Sequence, residues 1–208
     1  MKIGVLSVQG DFAAHKRMLA RIGVQAVEVR TPADLKTIAG LIMPGGESTT
    51  MLKFLIEESL AEPIRNFAGA GTPIFGTCAG AILLAHEVTG PAQPSLRLID
   101  ITVERNAYGL QVDSFVGEAD TQLTGGALEA VFIRAPRIRR LGPGVETLAR
   151  VGREPVLVRE GNIMAATFHP ELSGDQRIHR LFVEIAQANY HPLMETKNND
   201  EGLQVGRD

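Results

Sequence analysis

Apolar and polar positions alternate between two rhythms along this chain. Residues 2–8, KIGVLSV, form a near-continuous apolar run of strand length, the pattern of a strand buried on both faces. QGD breaks the run. FAAHKRMLARIG then places Phe12, Met18, Leu19 and Ile22 near helical spacing, with Gly23 as a stop signal. QAVEVR predicts a second strand, and GLIMP (Gly40 to Pro44) a third, ending in GGESTT. A helical stretch follows from about Thr49 to Phe67, with an interruption expected near Pro63. PIFGT predicts a fourth strand and AGAILLAHEV the next helix. Short apolar strands alternating with helices predict an α/β fold of three layers: a doubly wound, mostly parallel sheet covered on both faces, flavodoxin-like.

From Leu98 to Arg159 the rhythm changes. LIDITVER, DSFVG, AVFIRA, ETLARV and PVLVRE are short strand-like pieces separated by glycines and prolines. They predict hairpins and antiparallel edge strands added to the parallel core. NIMAATFHP (Asn162 to Pro170) is one more apolar strand, and GDQRIHRLFVEIAQANY a closing helix with Ile178, Leu181, Phe182 and Ile185 on one face. Residues 191–208 are polar and lack periodicity, so a disordered tail is expected after a single domain over residues 1–190.

Composition narrows the class. The 208 residues are 44% hydrophobic and 22% charged, ordinary for a soluble globular protein. A formal charge of −3 gives no reason to expect binding to nucleic acid or an anionic membrane. The basic run RIRR (Arg137 to Arg140) is the local exception, expected to be a solvated face. No apolar run has the length of a membrane span. The N-terminus reads as a first strand rather than a signal peptide. A single cysteine excludes an internal disulfide framework and fits a reducing compartment, so a cytoplasmic protein is expected.

That cysteine, Cys78, lies in Gly76-Thr77-Cys78-Ala79-Gly80, between a predicted strand and a predicted helix. G-x-C-x-G in that context has the form of a nucleophile elbow, with Cys in place of Ser. A sharp strand-to-helix turn pushes the side chain out above the sheet, and the flanking glycines let strand and helix approach. The helix N-terminus favours thiolate, and the Ala79 N–H can serve as an oxyanion donor. The alternative is a small hydrophobe in the core.

A thiol nucleophile needs a base. The candidates are His15, His86, His169, His179 and His191. His169 stands out in Phe168-His169-Pro170-Glu171, just after an apolar strand. Pro170 disfavours helical geometry at His169, and in an extended segment His169 and Glu171 face one way. The carboxylate could then fix the imidazole tautomer. MPGGESTT (Met43 to Thr50) is a third element at the same edge. Its glycines could free backbone N–H groups for an anion, or it is simply a tight turn followed by a Ser/Thr cap. The Walker pattern is absent, and no third ligand beside His169 and Glu171 is evident, so neither a phosphate loop nor a metal site is expected.

These residues resemble the class I, triad-type glutamine amidotransferases. Within them, GVLSVQGDFAAH, LIMPGGESTTM, GTCAGAILLA, ERNAYG, QVDSF, VFIRAP and ATFHPEL resemble the glutaminase subunits of bacterial-type pyridoxal 5′-phosphate synthases. The resemblance runs from Met1 to about Tyr190. One departure is Leu110, where the family often carries a basic residue. The resemblance implies that Cys78 is the nucleophile and that His169 and Glu171 complete a triad. It implies that Gly46, Glu47, Ser48, Arg105, Ile133 and Arg134 line a site for L-glutamine, with Gly45, Gly46 and Ala79 as oxyanion donors. It implies no cofactor, and a (β/α)₈ synthase subunit as partner in a hetero-oligomer, which takes up the ammonia. The alternatives are a glutaminase subunit serving another synthase, a stand-alone cysteine hydrolase or redox chaperone of related fold, and a non-catalytic binding subunit. For the last a broken triad would be expected, whereas the three residue types are all present.

Overall fold

The computed structural model describes residues 1–106 and 114–190. The expectations for Leu110, His191 and the rest of the 191–208 tail lie outside the described residues. Five parallel strands form the core: β1 (Lys2–Leu6), β2 (Gln25–Val29), β3 (Leu41–Met43), β4 (Ile74–Thr77) and β12 (Ile163–Ala166). Their order, β2-β1-β3-β4-β12, is that of a flavodoxin-like doubly wound sheet. Four antiparallel strands extend it from β12 in the order β11 (Glu154–Glu160), β10 (Glu146–Val151), β7 (Ser114–Thr121) and β8 (Leu128–Ile133).

Alternation along the buried strands sends neighbouring side chains to opposite faces. Leu41, Met43 and Ile74 join one core beneath the helices α2 (Ser48–Glu57), α3 (Ala61–Gly69) and α4 (Ala79–Leu84). Ile42, Phe75 and Met164 join the other, beneath α1 (Phe12–Arg21) and α5 (Arg177–Asn189). Helix α5 inserts Ile178 and Phe182 there, and each such side chain contributes roughly 1.5–3 kcal/mol by leaving water.

Four expectations need correction. The break in the long helical stretch falls at Glu58 to Leu60, where Ser59 has φ 53°, and not at Pro63. Pro63 sits in the first turn of α3, where its missing N–H has no helical partner to lose. The helix after Cys78 ends at Leu84, because Ala85 turns extended and begins β5 (Ala85–Thr89). The central pieces also do not all join the main sheet. β5, β6 (Ile99–Glu104) and β9 (Arg137–Leu141) form a separate three-stranded sheet. β9 contains the basic run, which is ion-paired rather than merely solvated: Arg137 and Arg139 reach Glu154, Arg139 pairs with Glu104, and Arg140 pairs with Asp100.

Candidate active site

Parallel strands deliver their following loops to one edge of the sheet. The loops after β1, β3, β4 and β12 therefore converge beside the point where strand order reverses, between β1 and β3. Cys78 occupies the turn between β4 and α4 with φ 47° and ψ −103°, a strained conformation for a residue with a Cβ. Its N–H donates to the carbonyl of Ala166 at 2.8 Å, which ties the turn to the neighbouring strand. Gly76 is needed for this closeness: a Cβ there would lie 2.6 Å from the carbonyl carbon of Gly80. Ala79 opens α4, so its backbone stands at the helix N-terminus beside the sulfur.

His169 follows β12 and is pinned by its own N–H, which donates to the Val131 carbonyl at 2.8 Å. With φ −108° and ψ 82° it is non-helical, as the following proline requires. Glu171 is not in an extended segment, however. Pro170–Leu172 is a 3₁₀ turn, because Pro170 is well suited to start a helical turn. The turn still brings the pair together: His169 Nδ1 lies 2.8 Å from Glu171 Oε1. Glu171 is buried behind the imidazole. Cys78 shares the pocket with the imidazole, and its thiol lies 3.9 Å from the Ile133 carbonyl. Burial works against a charge on His169, but the hydrogen bonds and negative charges of Cys78 and Glu171 outweigh it and push the imidazole up to about 10. Burial pushes the Glu171 carboxyl up, with His169 working against that shift. A protonated imidazole held by a buried carboxylate beside a thiol is an arrangement suited to nucleophilic sulfur chemistry.

The pocket in front of Cys78 and His169 is lined by Gly46, Glu47, Ser48, Arg105, Ile133 and Arg134, all six of the binding residues implied above. Gly45 does not line it but packs its Cα against the His169 ring. Helix α2 is capped by the Glu47 carboxylate, which accepts from the Thr49 N–H and hydroxyl, and not by a Ser or Thr. Burial opposes the charge on Glu47, but Thr49, Arg105 and Arg134 hold its carboxyl below the ordinary value. Arg105 approaches it at 3.4 Å and is largely buried, not the surface arginine that its strand position alone suggests. Gln9 joins the first loop to the third strand's loop, its side-chain amide donating to the Glu47 carbonyl at 3.3 Å.

Four further lining residues escaped the sequence reading: Asp11, Ile82, Asn106 and Pro136. Asp11 is the informative one. Its carboxylate lies 3.6 Å from His169 Nδ1, making a third acidic or basic group at a place where only two were evident. Its signal was its position directly after Gln9-Gly10, on the loop following the first strand. His169 Nδ1 is already engaged by Glu171, so the cluster reads as ion pairing. Of the other candidate bases, His86 lies away from the pocket against Arg97. His15 and His179 are fully buried behind Glu171.

The profile of the SNO glutamine amidotransferase family matches residues 5–188. A pyridoxal 5′-phosphate synthase subunit PdxT from Koribacter versatilis is 52% identical over 187 residues, covering 90% of this chain and 96% of that protein. One from Thermus thermophilus is 54% identical, covering 88% and 97%. A crystal structure of a glutamine amidotransferase superposes with a TM-score of 0.85 at 49% identity, covering 89% of this chain and 98% of its own. PurLQS from Thermotoga maritima, at 14% identity, shares the fold with a TM-score of 0.69, covering 88% of this chain and 97% of that one.

Proposed function

The chain belongs to the SNO glutamine amidotransferase family, and we propose that it is the glutaminase subunit of a pyridoxal 5′-phosphate synthase. It hydrolyses L-glutamine to L-glutamate and passes the ammonia to a (β/α)₈ synthase subunit in a hetero-oligomer. The observation that carries this reading is Cys78 on a strained elbow, sharing one pocket with a His169 that Glu171 backs at 2.8 Å. The family membership makes glutamine the substrate to place in front of it.

The pocket suits a zwitterionic amino acid. Arg105 and Arg134 can take the α-carboxylate, and Glu47 the α-ammonium, since guanidinium matches carboxylate geometry. The side-chain amide then points at Cys78. The thiolate attacks the amide carbon, and the oxyanion forms against backbone N–H groups of Ala79 and the Gly45-Gly46 loop. Imidazolium His169 gives its proton to the departing nitrogen, ammonia leaves, and a thioester remains. His169, now neutral, takes a proton from water as the hydroxyl adds to the thioester. Collapse expels the Cys78 thiolate and releases glutamate, with His169 again protonated. Glu171 stays ionised throughout and steadies the imidazolium.

The reading is of one amidotransferase domain over residues 1–190, working in the cytoplasm. Among the described residues no helix is long and apolar enough to cross a membrane. The test is ammonium release from glutamine by the purified chain, alone and titrated with a candidate synthase subunit. Release should be weak alone, rise on adding the partner, and vanish in Cys78→Ala. Full activity without the partner, and no increase with it, would favour a stand-alone amidase.

A further inference from the structure

Behind Glu171 lies a buried polar chain that the proposed chemistry does not use. His15, on α1, is fully buried. Its Nε2 faces two oxygens, Thr77 Oγ1 at 3.1 Å and Glu171 Oε2 at 3.3 Å. Its Nδ1 lies 3.0 Å from Nε2 of His179, on α5. Glu171 uses Oε1 for His169, and its Oε2 is buried without any well-aligned hydrogen bond. The Nδ1 of His179 is likewise buried and unpartnered.

These contacts select one set of tautomers. Were the His179 proton on Nδ1, a buried N–H would be orphaned, which is costlier than an orphaned lone pair. His15 would then donate through Nδ1, leaving a bare Nε2 lone pair against a carboxylate oxygen. With the His179 proton on Nε2, it donates to His15 Nδ1, and the orphan is only a lone pair. His15 then carries its proton on Nε2, hydrogen-bonded to Thr77 Oγ1 with Glu171 Oε2 3.3 Å away. Both rings are neutral in this arrangement. Burial, then the neighbouring His179 and His169, holds His15 well below its usual value, and burial lowers His179 to about 4.

We propose that His15 is a positioning residue of the active site, donating Nε2–H to the second carboxylate oxygen of Glu171, with His179 fixing the tautomer that makes it a donor. The polar chain runs from His179 to His15 by a hydrogen bond at 3.0 Å and on to Glu171 Oε2 by a contact at 3.3 Å, and meets the donor His169 on the other oxygen. A carboxylate held from both sides keeps its plane and its charge, and so supports the imidazolium and the Cys78 thiolate. The groups facing Glu171 are His169, His15 and Asp11, with Arg17 and Arg21 of α1 on the same cleft wall. His169 in turn faces Cys78, Glu171 and Asp11.

The inference rests on Cys78 and His169 reacting as a pair, so its test does not require glutamine turnover. Nitrogen-detected NMR of the histidine-labelled wild-type chain should show His15 and His179 neutral and protonated on Nε2. A proton on Nδ1 of His15 would overturn the proposal. The rate of Cys78 alkylation by iodoacetamide against pH reads the thiolate. In folded His15→Leu its midpoint should rise by about one unit, cutting alkylation about tenfold below the midpoint. His15→Gln, which keeps an N–H near the Nε2 position, should stay close to wild type. A wild-type midpoint in His15→Leu, or an equal shift in His15→Gln, would reduce His15 to a packing role. If His15→Leu does not fold, the tautomers and His15→Gln still decide. If glutamine is not the substrate, the wild type fails the ammonium assay while these readouts stand.

Discussion

The bare Cα of Gly45 packs against the imidazole of His169: a Cβ placed there would overlap Cε1 and lie 2.9 Å from Nδ1. Gly45→Ala must therefore push the ring away from its place between Cys78 and Glu171. Misplacement of a reacting group by about 1 Å can cost about a hundredfold in rate. Glutamine hydrolysis by the Gly45→Ala complex should fall by about that factor, with the thermal unfolding temperature little changed. Steady-state kinetics beside calorimetry check this, and unchanged kcat/KM would show that the ring does not need its present position.

The elbow stores strain at Cys78, whose φ of 47° and ψ of −103° suit only glycine without cost. Cys78→Ala and Cys78→Gly should both lack glutaminase activity. Of the two, the glycine variant should be the more stable, by about 1 kcal/mol, reversing the usual order for these residues. Urea unfolding of both proteins measures the difference, and an alanine variant as stable as the glycine one would deny the strain.

The elevated His169 has a consequence with a definite sign. Its folded value, about 10, lies above the ordinary 6.5, because Cys78 and Glu171 outweigh burial. Its contribution to stability is complete below pH 6.5 and is lost as pH rises toward 10. The imidazolium proposed to protonate the departing nitrogen disappears around pH 10, so the alkaline limb of kcat/KM should lie there rather than near 7. Cys78→Ala removes one of the two causes, so the His169 midpoint followed by NMR should drop in that variant. An unchanged midpoint would separate the thiol from the imidazole.

On the acid side the buried histidines act in the opposite sense. His179 titrates at about 4 in the fold against 6.5 when exposed, so the unfolded chain binds the proton first. Stability should fall as pH drops from 6.5 toward 4, by about 2 kcal/mol from this residue at pH 5. His179→Gln should flatten that part of the profile. Urea midpoints at pH 7.5 and pH 5 for both proteins make the comparison, and parallel profiles would mean that His179 is protonated in the fold.

Sequence carried the parallel core well, because β1, β3, β4 and β12 are buried on both faces and read as unbroken apolar runs. The same property pointed to the candidate site, since loops that gather at one sheet edge follow such strands. The run AILLAHEVT misled, because a short apolar segment does not distinguish helix from strand. Parallel pairing of β5 with β6, the next strand along the chain, decides it, and the apolar pattern within the run does not encode that pairing. The small separate sheet escaped for the same reason. Asp11 and His15 were visible only as residues of a loop and a helix. Their closeness to His169 and Glu171 comes from how α1 packs against the 3₁₀ turn, which no local spacing encodes.

The position of β12 has a bearing on synthesis. This strand fits between β4 and β11, in the middle of the sheet, yet it comes from the last quarter of the chain. A nascent polypeptide that has already made Cys78 has β4 with one open flank and no imidazole beside the sulfur. The hydrogen bond from the Cys78 N–H to Ala166, which ties the elbow to its neighbour, is also unavailable until then. The thiol thus meets the imidazole only when the final parallel strand is seated, so a ribosome-stalled or truncated product carries Cys78 without its pair.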